Sequence, residues 1–65
     1  MNQIYKEARA AYKAQQFPAF SVRADDLDPS VAVYSNGKFI GVYASRLVAE
    51  REIEAQCAKA RKFIQ

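Results

Sequence analysis

The dipeptide Asn36-Gly37 is the strongest constraint on what this chain can fold into. It separates two short runs rich in β-branched and aromatic residues, Val31 to Ser35 and Lys38 to Tyr43. Both central residues of a type I′ turn need positive φ, and Asn followed by Gly supplies this with little strain. The two runs therefore read as an antiparallel hairpin. A two-residue loop also sets the register, placing Ser35 opposite Lys38, Tyr34 opposite Phe39, Val33 opposite Ile40, Ala32 opposite Gly41 and Val31 opposite Val42. Alternation then gives the hairpin an aliphatic face (Val31, Val33, Ile40, Val42) and an aromatic face (Ala32, Tyr34, Phe39, Gly41, Tyr43).

The flanking segments have helical character. From Gln3 to about Gln16 there is neither Gly nor Pro, and Ala recurs at 8, 10, 11 and 14. Asn2 suits the N-cap, and Pro18 forces Phe17 out of helical geometry. At about 100° per residue, Ile4, Ala8, Ala11 and Gln15 share one side, Tyr5 and Tyr12 flank it, and Lys6, Arg9 and Lys13 form a basic outer stripe. Phe20 to Arg23 alternates like a short strand, and Asp25 to Ser30 has turn composition. Ser45 is positioned to cap a second helix reaching about Ile64, with Ala49, Ile53, Cys57, Ala60 and Ile64 on one side and Arg51, Lys59 and Lys62 opposite. The expected fold is one α+β domain over residues 1–65, in the order α-β-β-β-α: a three-stranded antiparallel sheet with both helices packed on its aliphatic face.

Length and composition narrow the function classes. A chain of 65 residues buries only about 60% of the surface it exposes when unfolded. Twelve residues are Ala and only fifteen are Val, Ile, Leu or Phe, so the core is small. A homodimer would supplement it, since one Cys forms no internal disulfide and a chain without His lacks the common zinc ligands. No apolar stretch is long enough to span a bilayer, and Met1 to Glu7 lacks the apolar run of a secretion signal, so a cytoplasmic protein with no membrane partner is expected. Cys57, inside an apolar helical stripe, reads as a small core residue.

Catalytic chemistry has little to work with. Without His there is no conventional proton shuttle or His-activated nucleophile, and the two glycines are both used by the hairpin. No enzyme and no cofactor are expected. Asp25, Asp26 and Asp28 have the oxygens for a hard cation but not the spacing of a calcium loop, and a solvated turn accounts for them.

Two surfaces remain. Lys6, Arg9 and Lys13, at i, i+3 and i+7, project from one face where they can meet phosphates, and Arg46, Arg51, Lys59 and Lys62 add cations from the second helix. The alternative is a solvated face, because the net charge is only +3. The aromatic trio Tyr34, Phe39 and Tyr43 admits three readings: stacking of unpaired bases, a protein interface with a foreign partner or a second copy, or ordinary core under a helix.

The run Gly37-Lys38-Phe39-Ile40-Gly41-Val42-Tyr43-Ala44-Ser45-Arg46-Leu47-Val48-Ala49 resembles the third strand and second helix of the double-stranded-RNA-binding domain. That resemblance implies the same α-β-β-β-α order, with Arg46 standing where the family places one of its phosphate-gripping lysines. Leu47 and Glu50 occupy the other such positions, and the family's His-bearing loop has no counterpart. Gly41-x-Tyr43-x-Ser45 followed by Ala49 and Ile53 is also similar to the hairpin-to-helix segment of plant-type and integrase-type DNA-binding domains, which place a three-stranded sheet in the major groove.

The expectation is a small binding protein of the kind bacteriophages and other mobile elements encode. Its partner is nucleic acid, DNA or RNA, held by Lys6, Arg9, Lys13, Arg46, Arg51, Lys59 and Lys62 with Tyr34, Phe39 and Tyr43 stacking or packing. The alternative is a protein-interaction module, such as an inhibitor or regulator docking on a host protein complex, and a homodimer is compatible with either.

Overall fold

A computed structural model describes residues 2–25 and 27–64. The order is α1 (Gln3–Lys13), β1 (Phe20–Asp25), β2 (Asp28–Ser35), β3 (Lys38–Tyr43) and α2 (Arg46–Ile64). The strands form one antiparallel sheet in the order β1-β2-β3. The fold is thus α+β, as the patterning predicts.

Local chemistry explains the ends of the elements. Asn2 Oδ1 accepts hydrogen bonds from the backbone N–H groups of Ile4 and Tyr5 at 2.8 and 3.2 Å, which caps α1. The helix stops at Lys13, earlier than its composition predicts, and Pro18 is not the cause. Gln15 adopts φ 60°, its N–H donates to the Tyr12 carbonyl, and the Gln16 N–H donates to the Ala11 carbonyl. This pair of bonds is a Schellman ending built on a non-glycine left-handed residue. Ser45 Oγ accepts from the Val48 N–H and caps α2. Asn36 and Gly37 have φ of 51° and 82°, as a type I′ turn requires.

β1 and β2 are both longer than their alternation predicts, because the pairing continues to Asp25 opposite Asp28. Between Ala24 and Asp25 the register shifts. That shift leaves Pro29 and Ser30 without pairing partners on β1, a place where the missing N–H of Pro29 is tolerated. Asp28 Oδ1 accepts from both the N–H and the hydroxyl of Ser30, which holds the Asp28 carboxyl below its ordinary pKa. Asp26 lies outside the described residues, as do the side chains of Asp25 and Ile64. Among the described residues no acidic or thiol cluster could hold a metal ion.

The β2–β3 register departs from the regular pairing. Ser35 faces Lys38 and Tyr34 faces Phe39, but then Val33 faces Gly41, Ala32 faces Val42 and Val31 faces Tyr43. Ile40 is the extra residue of a β-bulge. Every side chain after it changes face, so Tyr43 joins the core side and Val42, 60% exposed, leaves it. Burying a tyrosine in place of a valine removes more apolar area from water.

The core forms between the sheet and the two helices. Val31, Val33 and Ala49 are buried together, with Phe20, Val22, Ile40, Tyr43 and Ile53 packed around them. Ile4, Ala8 and Ala60 are also fully buried. Alanines at positions 8, 49 and 60 let backbones approach closely. α2 packs across all three strands, while α1 lies against α2 and the β3 side of the sheet. Asn2 Nδ2 donates to Glu52 Oε1 at 2.9 Å, and seven residues later the Arg9 guanidinium sits 4.4 Å from the centre of the Phe63 ring. The contacts ascend together along both helices, which therefore run side by side in the same direction.

Candidate functional site

The orientation of α1 follows from its polar contacts. Glu7 Oε1 accepts from the Ser35 hydroxyl at 3.0 Å, and Glu7 Oε2 lies 3.5 Å from Lys38 Nζ. Glu7 therefore points toward the sheet. Lys6, Lys13 and Arg9 lie about 100°, 120° and 160° around the helix from it, so the basic stripe points away from the sheet. Lys6, Arg9 and Lys13, with Ala10, line a shallow depression of about 270 Å³.

Beside that depression runs an open groove between the helices, about 430 Å³ in volume, lined by Asn2, Tyr5, Gln56, Lys59 and Phe63. Lys59 thus faces the α1 stripe across the groove, and Lys62 follows it at i+3 on the neighbouring surface of α2. Arg51 lies on the same line of α2 as Lys62, eleven residues earlier and about 16 Å away. Arg46, the first residue of α2, is exposed but far round the helix from this line. The second-helix cations of the expected set therefore divide: Lys59 and Lys62 join the cluster, Arg51 sits at its margin and Arg46 stands apart.

Carboxylates are placed elsewhere. Glu7 is bound to Ser35 and Lys38, while Glu50 and Glu54 emerge on the side of α2 away from α1. Glu52 closes the N-terminal end of the groove, where its Oε1 accepts from both Asn2 Nδ2 and Gln56 Nε2 at 2.9 Å. Among the described residues, Lys38–Glu7 is the only ion pair, so Lys6, Arg9, Lys13, Lys59 and Lys62 leave their charge uncompensated by direct contact.

The aromatic sheet face differs from its expected composition. Tyr34 and Phe39 are on the side without helices, with ring centres 5.9 Å apart and planes at 72°. The Arg23 guanidinium stacks on the other side of Tyr34, 5.0 Å from the ring centre, forming an Arg23-Tyr34-Phe39 row. Phe39 is 56% exposed, and Val42 beside it is also open to solvent. Tyr43 is not part of this face. The bulge at Ile40 turns it toward the helices, where burial above all, then the Glu52 carboxylate, pushes its hydroxyl above the ordinary pKa of 10.0 against the pull of Asn2. Arg23 and Val42 take part in its place. Arg23 was missed because no turn signal fixes the β1 register.

Tyr5 and Phe63 were likewise missed as groove residues. Each has a helical position that can be read from the sequence, but neither reveals which helix lies next to which. Cys57 is half-buried near Tyr12 and Arg61, and burial pushes its thiol above 9.0. It is held as an uncharged thiol at neutral pH.

The two surfaces are on opposite sides of the molecule: cations and groove on the outside of the helical layer, the aromatic row on the free side of the sheet. No helix among the described residues is long and apolar enough to cross a membrane. The element order is that of the double-stranded-RNA-binding domain, and the likeness stops at topology. The chain matches no known protein family, no curated protein and no solved structure.

Proposed function

We propose that this chain is a non-enzymatic, cytoplasmic nucleic-acid-binding protein that uses the outer face of its helical layer. The observation that carries this reading is the group Lys6, Arg9, Lys13, Lys59 and Lys62, gathered from two helices with the described carboxylates turned aside or already hydrogen-bonded. Cations gathered without direct partners release counterions from a phosphate backbone when they bind it. Five such contacts give a slope of log affinity against log salt of about −4.5 on a duplex and about −3.5 on a single strand. Between 50 and 200 mM salt, affinity then falls about a hundred- to five-hundredfold.

Fluorescence anisotropy with labelled DNA and RNA, single- and double-stranded, across a salt series tests this. The slope is expected in that range, with Lys6→Glu plus Lys13→Glu abolishing binding while the urea midpoint stays put. Absence of binding at tens of micromolar protein in low salt, or full binding by the charge-reversed variant, overturns it.

A second reading rests on a separate observation, the exposed Arg23-Tyr34-Phe39 row with Val42 on the free sheet face. Aromatic and arginine side chains are the usual anchors of protein interfaces. On this reading the sheet face docks on a host protein or on a second copy. Tyr34→Ala plus Phe39→Ala should abolish that association without unfolding the chain, and unchanged association removes the sheet face from the interface.

A further inference from the structure

We infer, resting on the nucleic-acid reading, that the ligand is single-stranded and that one unpaired base seats in the groove between α1 and α2, against Tyr5 and Phe63. The groove is concave, and its 430 Å³ lies within the range that small ligands fill. Its lining combines two aromatic rings, one cation and two side-chain amides. Cations for phosphate and rings for bases, within one concavity, are the two components of single-strand recognition. A duplex offers only the first partner, because its bases are stacked and paired and present no free face to a recessed ring.

The arrangement gives each part a place. The backbone would track along Lys6, Arg9 and Lys13, which span about 10 Å of α1 beside the groove, while Lys59 holds the opposite wall. Phe63 is 63% exposed, so its ring is open to a ligand in the groove. Arg9, 4.4 Å from that ring, restrains it and adds a planar guanidinium on which a base can also stack.

The same geometry sets how the base is read. Asn2 Oδ1 is committed to the α1 cap, and Asn2 Nδ2 and Gln56 Nε2 are both committed to Glu52. Gln56 Nε2 keeps a second N–H, and the Tyr5 hydroxyl and Lys59 ammonium also line the groove, so a base stacked on the rings can meet polar groups at its edge as well. Purines should bind ahead of pyrimidines, because their larger rings stack more strongly on Tyr5 and Phe63.

The test uses the full chain with fluorescein-labelled twelve-nucleotide oligoadenylate and oligothymidylate strands and a twelve-base-pair duplex. Expected are single-strand binding at least tenfold tighter than duplex binding, and a loss of about five- to 150-fold in single-strand affinity on Phe63→Leu, with residual duplex binding and the salt slope unchanged. Phe63→Leu keeps an apolar side chain at an exposed site and removes only the ring. Tyr5→Leu serves as the second variant, with far-UV circular dichroism checking the fold. Equal binding of strand and duplex, or wild-type single-strand affinity in Phe63→Leu and folded Tyr5→Leu, overturns the inference and leaves the charge-based reading intact. If neither probe binds at low salt, or if charge reversal at Lys6 and Lys13 has no effect, both fail together.

Discussion

The bulged register of the β2–β3 hairpin can be tested with one substitution made at two positions. Val33 and Val42 sit on adjacent strands of one sheet, and regular pairing from the Asn36-Gly37 turn would send both toward the helices. In the structure Val33 is 0% exposed and Val42 is 60% exposed. Truncating valine to alanine removes two methylene equivalents, about 1.6 kcal/mol of transfer free energy when the site is fully buried. At Val33 the space left between the sheet and Ala49 adds a cavity contribution, bringing the loss to about 2–3 kcal/mol. At Val42 only about two-fifths of the transfer contribution applies and no cavity forms, so the loss is about 0.5 kcal/mol.

Those losses are large for this chain. At about 0.05–0.15 kcal/mol per residue, its 65 residues give a total stability of about 3–10 kcal/mol. Val33→Ala should lower the melting temperature by about 10–20 °C and Val42→Ala by about 2–4 °C. Urea titration followed by far-UV circular dichroism measures both, and an unchanged slope m attributes the difference to the folded state. Similar losses above about 1.5 kcal/mol at the two positions would refute the bulge and restore the regular register.

Two further predictions address the ends of the structure and its alkaline limit. Asn2→Ala removes two capping bonds and the bond to Glu52, so the urea midpoint should report a loss of about 1–2 kcal/mol; a loss below about 0.3 kcal/mol would show that the α1 cap is idle. The Tyr43 hydroxyl holds its proton more tightly in the folded than in the unfolded chain, so its contribution is complete below the unfolded value near 10.0 and is lost as pH rises through the higher folded value. Urea midpoints above pH 10 should consequently fall less steeply for Tyr43→Phe than for the natural chain, and parallel declines would contradict the assignment.

What could be read from the sequence was set by short-range chemistry. Asn2, Asn36-Gly37 and Ser45 each act within three or four residues, so the caps, the turn and the element order follow from their neighbours in the chain. The Ile40 bulge depends on partners far away: Tyr43 turns inward to pack with Val31, Ala49 and Ile53. No local pattern carries that information. The same holds for the candidate site. Lys6, Arg9 and Lys13 share a face by helical geometry alone, but their relation to Lys59, and the groove that Tyr5 and Phe63 make beside them, exist only once α1 lies alongside α2. Arg46 shows the reverse case, a cation with the right chemistry that the fold holds away from the others.

The alanines at 8, 49 and 60 make the interior sensitive to substitution in one direction. Each is fully buried and already has the smallest side chain. The only smaller replacement is glycine, which costs about 0.5–1 kcal/mol in a helix. Every other replacement adds volume where helix meets helix or sheet, and the added atoms can be accommodated only by moving whole elements apart. Because those elements also form the walls of the groove, a single extra methyl group at Ala8 or Ala60 would change its width without touching any residue that lines it. The spacing of the two helices is in this sense written in the smallest side chains of the protein, and sequence drift at these three positions should be far narrower than on the cationic surface above them.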